Sequence, residues 1–260
     1  MEHLAETCFE TVFHDSFLAP QLMNAMELWK RRTEMIMGSE ALLRLASSRV
    51  AVFGIGGVGG HAAESLARAG VGAIDLIDMD CVEETNINRQ AVAARSTLGR
   101  MKTEVMRDRI LDITPDCFVI CHNLFYLPGM ADGFDLSAYD YVIDAIDTVT
   151  AKLCLIEHAC GAGVPIISSM GTGNRLDPSK LMITDIMKTC DDPLAAVMRR
   201  ELKKRGIYHL DVVFSEEHPI KPAVADSGEN HRTPGSSPFV PAAAGLLLSS
   251  YVVRKLGGLL

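Results

Sequence analysis

Gly54, Gly56 and Gly59, with an extra glycine at Gly57, stand in the order G-x-G-x-x-G directly after the apolar run "RVAVF". Glycines so spaced allow a tight turn, a close approach of backbone to phosphate, and packing of the next helix on the strand. The free N–H groups at that helix start, and its positive dipole end, attract the anion. About two dozen residues after the loop begins, Asp78 closes the run "AIDLID", where a carboxylate can accept hydrogen bonds from both hydroxyls of a ribose. Asp80 is the rival position. Ribose and phosphate occur in redox dinucleotides and in ATP alike, so loop and acid leave the nucleotide open.

The discriminating residues follow: "NINRQ" at 86–90, Lys102 in "LGRMKTE", and the pair Asp144 and Asp147 in "DAIDT". A redox dinucleotide needs little cationic help beyond its loop. Attack on a phosphorus of ATP develops charge on several oxygens, which arginine, lysine and a metal-binding carboxylate stabilise. Each residue alone has a plainer reading: Arg89 as a surface ion-pair partner, Lys102 as a solvated helix residue, Asp147 as a helix cap. Gathered on the carboxyl side of one sheet, they favour ATP.

Short β-branched runs alternate with helical patterns and supply that sheet. "RVAVF" (49–53), "AIDLID" (73–78), "CFVICH" (117–122), "YDYVIDA" (139–145) and "VPIISS" (164–169) read as buried strands. Helices are expected at 58–69, 97–113 and 148–161, and another opens at "DDPLAAVMRRELKKRG", with Pro193 in its first turn and Gly206 as its stop. "KLMITDI" and "LDVVFS" look like later strands added in antiparallel fashion, and "EEHPIKPAVADSGENHRTPGSSP" reads as a long mobile loop before a C-terminal helix. The fold class is α/β: a doubly wound, mostly parallel, Rossmann-like sheet with antiparallel strands toward the C-terminus. Residues 1–25 read as an extension of unknown role, and 26–260 as a single domain.

The 260 residues are 48% hydrophobic, enough for a substantial core, and carry a formal net charge of −8, which excludes the global basic field of most nucleic-acid binders. A polyanionic partner therefore needs a local patch. Seven cysteines form no Cys-x-x-Cys pair, which argues for free thiols in a reducing cytoplasm and against a structural zinc. The apolar stretch "FVPAAAGLLLSSYVV" is too short and too interrupted to span a bilayer and reads as a buried helix.

With these motifs in view, the chain resembles the ubiquitin-activating-enzyme-like adenylyltransferase superfamily. Its fingerprint runs here as Gly54-Ile55-Gly56-Gly57-Val58-Gly59, Asp78, Asn86-Ile87-Asn88-Arg89-Gln90, Lys102 and Asp147, in order. The resemblance implies that Asp78 holds the ribose of ATP, that Asn86, Arg89, Gln90 and Lys102 serve the nucleotide and its phosphates, and that Asp147 holds Mg2+. "RRTEMIMGSEAL" looks like the segment whose arginine reaches the neighbouring subunit's triphosphate, which points to Arg32 and a homodimer.

Within the superfamily, "YDYVIDAIDTVTAK", "TDIMKTCDDPLA" and "DVVFS" are most similar to the tRNA threonylcarbamoyladenosine dehydratases. Val213 stands where some members have cysteine, and Thr148 follows Asp147 where protein-activating relatives usually have asparagine. The resemblance implies ATP-dependent cyclisation of threonylcarbamoyladenosine in tRNA, through adenylation of the threonyl carboxylate. The alternative is adenylation of the C-terminal glycine of a ubiquitin-like or sulfur-carrier protein. A monovalent cation and a sulfur-relay protein stand as further candidate partners. For tRNA, Arg199, Arg200, Lys203, Lys204 and Arg205 form a local basic patch, although cations also suit a helix C-terminus for dipole reasons.

Overall fold

A computed structural model describes residues 28–223 and 234–260. The expectations for residues 1–25, and for residues 224–233 of the proline- and glycine-rich loop, lie outside the described residues.

Seven strands form one sheet: β1 (Arg49–Phe53), β2 (Ala73–Ile77), β3 (Phe118–His122), β4 (Tyr141–Asp144), β5 (Ile166–Ser169), β6 (Leu181–Asp185) and β7 (Asp211–Ser215). Their spatial order is β3-β2-β1-β4-β5-β7-β6. All neighbours are parallel except β6 on β7, where Ile183 faces Val213; β7 itself runs parallel to β5.

The helices are α1 (Arg31–Met37), α2 (Ser39–Ala46), α3 (Gly59–Ala69), α4 (Lys102–Ile113), α5 (Val149–Ala162), α6 (Pro193–Lys204) and α7 (Val240–Leu256). Strand residues alternate between two apolar layers, as the pleat requires. Val50, Val52, Ile74, Leu76 and Ile143 pack in the layer that includes Leu66 of α3, Met106 of α4 and Leu248 of α7. Ala51, Phe53, Ile77, Val142 and Phe214 pack in the layer with Ile156 of α5 and Met198 of α6. Both faces of β1, β2, β4, β5 and β7 are covered, so these strands carry no solvent-facing polar alternation, whereas the edge strands β3 and β6 are only partly buried, so the run at 117–122 is not the buried strand its apolar residues suggest.

Local chemistry sets the helix ends. Asp192 caps α6 by accepting the Ala195 N–H at 2.9 Å, Pro193 follows it, and Gly206 leaves in the left-handed region at φ +75°. One boundary differs from the sequence expectation. The helix expected from residue 97 starts at Lys102, because Gly99 takes φ +79° and residues 99–101 turn back against Cys81 and Val82. Gly99 N donates to Val82 O at 2.9 Å, Val82 N to Arg100 O at 2.8 Å, and Lys102 N to Asp80 O at 3.0 Å. This return places Lys102 beside the end of β2. Among the described residues, no helix is long and apolar enough to cross a membrane.

Candidate nucleotide-binding site

Strand order reverses between β1 and β4, with β2 and β3 on one side and β5 on the other. In an open parallel sheet the connections leaving such neighbours diverge, and a crevice opens beyond their carboxyl ends. A cavity of about 480 Å³ lies there, within the usual size of ligand sites. Its lining brings together Gly54, Gly56, Gly57, Asp78, Arg89, Gln90, Lys102 and Asp147 from five separate segments.

The glycines divide by task. Gly54 has φ +86°, and a Cβ there would stand 2.6 Å from the Ala145 carbonyl; a Cβ on Gly59 would stand 1.8 Å from the Gly54 carbonyl. These two permit the fold of the loop itself. Gly56 and Gly57 face the cavity, and the aliphatic stem of Arg89 lies over Gly57, its Cγ 3.4 Å from where a Cβ would be. Gly59 does not line the cavity but opens α3.

Asp78 sits one residue past β2 with both carboxylate oxygens anchored. Oδ2 accepts the Ile55 N–H of the glycine loop at 2.7 Å, and Oδ1 accepts the Asp80 N–H at 2.8 Å. Each oxygen keeps a further lone pair for a hydroxyl donor. Burial pushes this carboxyl above its ordinary value, against the pull of those N–H groups and of Lys102. Asp80, the rival, instead pairs with the Lys102 ammonium at 2.7 Å; the lysine side chain is 7% exposed and its partner 61%. Arg89 Nη1 donates to Thr85 O at 3.0 Å and to Asn88 Oδ1 at 2.9 Å. Gln90 Oε1 is buried without a hydrogen-bond partner among the described residues, so the wall offers an acceptor to a ligand donor.

Asp147 is exposed at the lip of the cavity, touches Thr148 Oγ1 at 3.2 Å and makes no ion pair among the described residues. Asp144, three residues earlier, is fully buried. Its Oδ2 pairs with Lys152 Nζ at 2.9 Å and accepts from Ser168 Oγ at 2.5 Å, while Oδ1 accepts the Ile146 N–H at 3.1 Å. Lys152 Nζ also donates to Ile146 O at 3.0 Å. The pair thus holds both backbone polar groups of Ile146 and fixes the loop that carries Asp147.

Other expected residues lie outside the cavity. Asn86 is buried, but its Oδ1 accepts the Glu83 N–H at 3.2 Å and caps the turn that presents Arg89. Arg32 is exposed on α1, away from the cavity of its own chain. The basic run at the end of α6 is partly engaged within the chain yet keeps an excess of positive charge, since among the described residues its five cations meet only the carboxylates of Glu201 and, at Arg205, Glu157. Arg199 is taken up by the Thr189 carbonyl and hydroxyl, while Arg200, Lys204 and Arg205 all pair with Glu201, whose carboxyl those cations hold down at about 2. Neither Arg199 nor Lys203 makes an ion pair among the described residues.

Sequence reading missed three parts of the wall. Pro241 at the start of α7 stands 3.3 Å from the Cβ position of Gly57, and Gly245 lets α7 approach α3 so closely that a Cβ there would meet the Val58 carbonyl at 2.3 Å. The loop Ser169–Gly173 after β5 and the segment Pro234–Ser236 also line the cavity. The glycines of "SSMGTG" just past a strand were the available signal. Leu124, Tyr126, Ile77 and Met79 add an apolar wall suited to a purine face.

Residues 30–212 match the ThiF family. The tRNA threonylcarbamoyladenosine dehydratase of Bacillus subtilis is 44% identical over 236 residues, covering 86% of this chain and 93% of its own. The enzyme of that name from Escherichia coli is 37% identical over 254 residues, with 88% and 95% covered. The crystal structure of the E. coli tRNA N6-threonylcarbamoyladenosine dehydratase, TcdA, in complex with ATP superposes with a TM-score of 0.80 at 38% identity, covering 88% of this chain and 95% of that one. On the family match and on relatives similar over nearly their whole length, the chain belongs to the ThiF family.

Proposed function

We propose that this protein is an ATP-dependent tRNA threonylcarbamoyladenosine dehydratase, an adenylating enzyme that cyclises the modified adenosine with net loss of water. The reading is carried by the convergence of the glycine loop, Asp78, Arg89, Lys102 and Asp147 on one cavity at the switch point of the sheet. The named relatives supply the substrate class.

Asp78 accepts the ribose hydroxyls, and the N–H groups at the head of α3 receive phosphate oxygens. Arg89 and Lys102 offset the charge that builds as pyrophosphate departs. The threonyl carboxylate attacks the α-phosphorus, forming an acyl–O–P bond and releasing pyrophosphate. An atom of the adjoining carbamoyl group then attacks the acyl carbon, expels AMP and loses a proton, so the oxygen of the lost water leaves on AMP. A carboxylate oxygen by itself is no leaving group at neutral pH.

A single exposed carboxylate fits Mg2+, which takes most of its ligands from phosphates and water; Asp147 is the residue that would hold it. That ion, when bound, supplies Lewis-acid neutralisation of the phosphates. Arg32 acts on the partner's nucleotide in a homodimer. Leu28, Met35 and Ile36, each at least 80% exposed, flank it and make this end of the chain the apolar contact surface. Among the described residues, none argues for a sulfur-relay partner or a monovalent cation.

The test is mass analysis of nucleosides from threonylcarbamoylated tRNA after incubation with the protein, ATP and Mg2+. Loss of one water from the modified adenosine, with release of AMP and pyrophosphate, is expected. An unchanged nucleoside alongside adenylation of a glycine-ended protein would overturn the reading.

A further inference from the structure

The cavity wall has one side that the nucleotide residues leave unclaimed. It is built from the Ser169–Gly173 loop and the segment Pro234–Ser236, which are far apart in sequence yet meet at the cavity mouth. The side chain that joins them is Asn174. Its backbone adopts φ +57°, a left-handed conformation that asparagine tolerates better than most residues.

In that conformation Asn174 makes three hydrogen bonds, each 2.7 Å long. Its N–H donates to Gly235 O, its Oδ1 accepts the Gly235 N–H, and its own carbonyl accepts the Ile220 N–H. Gly173 packs so tightly on Pro234 that a Cβ would come within 2.9 Å of the ring. At the other end of the segment, Asn88 Nδ2 donates to Ser236 O at 2.9 Å, and Asn88 Oδ1 accepts from the Arg89 guanidinium. The segment is therefore strapped on one side to the loop after β5 and on the other to the arginine of the phosphate site.

The loop after β5 is itself rigid from beneath. Arg175, 2% exposed, donates to the Gly171 and Glu217 carbonyls and pairs with the buried Asp192 at 3.3 Å, which in turn accepts the Gly171 N–H at 3.1 Å. A wall so braced can hold a substrate in a defined orientation, where a freely moving strap could not.

We propose that Asn174 is a positioning residue for the second substrate: by clasping Pro234–Ser236 to the rigid loop after β5, it forms the subsite for the carboxylate-bearing nucleoside of the tRNA. The assignment rests on the function proposed above. Asn88 completes the clasp and ties the acceptor subsite to the guanidinium that serves the triphosphate.

The test compares wild type, Asn174→Gly and Asn174→Asp in steady-state turnover of threonylcarbamoylated tRNA, with ATP affinity measured separately by equilibrium titration and folding by thermal melting. Asn174→Gly keeps the backbone conformation free of strain and removes the carboxamide, with it the Oδ1 acceptor of the Gly235 N–H; Asn174→Asp keeps an acceptor oxygen. The glycine variant is expected to raise KM for tRNA roughly tenfold, the scale of a lost hydrogen bond that orders a site, with ATP affinity within about twofold of wild type. The aspartate variant is expected to recover most of that loss. Equal KM for tRNA in wild type and the glycine variant, or a parallel loss of ATP and tRNA affinity, would sink the clasp while leaving the function intact. A wild-type protein that does not convert the tRNA would remove the function and the subsite together.

Discussion

Replacing Lys152 by methionine tests whether the buried pair beneath the site does what its geometry implies. Lys152 and Asp144 are both 0% exposed and 2.9 Å apart. Loss of the ammonium leaves Asp144 with its Ser168 and Ile146 hydrogen bonds but no counter-charge, and strips a donor from the Ile146 carbonyl. Removing one partner of such a pair costs about 3–5 kcal/mol, because an uncompensated charge stays in a low-dielectric interior. That is a large part of the roughly 5–15 kcal/mol that holds an ordinary domain together. The companion Asp144→Asn/Lys152→Met carries no buried charge and should recover to within about 2 kcal/mol of wild type, giving a coupling of about 2 kcal/mol or more. Urea unfolding followed by circular dichroism, with the slope checked for constancy, measures both, and ATP titration should show weaker binding as the Asp147 loop loses its anchor. A single variant costing less than about 1 kcal/mol, or a double variant equal to the sum of its singles, would refute the account.

Gly59→Ala sets a methyl group within 1.8 Å of the Gly54 carbonyl, so ATP binding should be lost in calorimetry, whereas Gly57→Ala meets only Pro241 and the flexible Arg89 stem at 3.3–3.4 Å and should weaken it far less. Asp147→Asn should lower kcat by at least roughly a hundredfold with ATP still bound, read by pyrophosphate release against Mg2+ concentration. Burial would push Asp75 up, but hydrogen bonds from His122, Arg49 and Tyr139 outweigh it and hold this carboxyl below its ordinary value. The stability it contributes is present above about pH 4 and lost as pH falls through the folded-state value, so Asp75→Asn should flatten the acid limb of a stability–pH curve. Glu201→Gln frees Arg200 and Lys204 from their shared carboxylate, and tRNA affinity should rise severalfold at low salt if that face of α6 meets tRNA; unchanged affinity and salt slope would dispose of the patch.

How much of this site could be read in advance depended on whether a residue's task is local. The glycine spacing, the acid after β2 and the cap and stop of α6 act through neighbours within a few positions, so composition and period reveal them. The boundary at Lys102 escaped because Gly99 and the return against Val82 override a plausible helical pattern. Lys152 carries no local signal that sets it apart from other helix lysines; only the packing of its helix on the sheet turns it inward onto Asp144. The α6 run reads as a local basic patch with Glu201 legible inside it, but the convergence of Lys204 and Arg205 on that carboxylate is set by side-chain geometry that the sequence does not show.

By itself, the order of residues along this chain determined a doubly wound nucleotide-binding sheet and the motifs that face its carboxyl rim, because turn formation, burial and helix capping are short-range effects. Tertiary structure alone decided which of those side chains share a cavity, that Asp80 rather than Asp78 engages Lys102, and that Pro234–Ser236 and Pro241 complete the wall. Such contacts join segments far apart in the chain, 148 residues in the case of Asn88 and Ser236, and are set by the crossing order of strands and the close approach of α7 to α3. No local spacing encodes that order, so the chemistry of the individual groups was legible and their partnership was not.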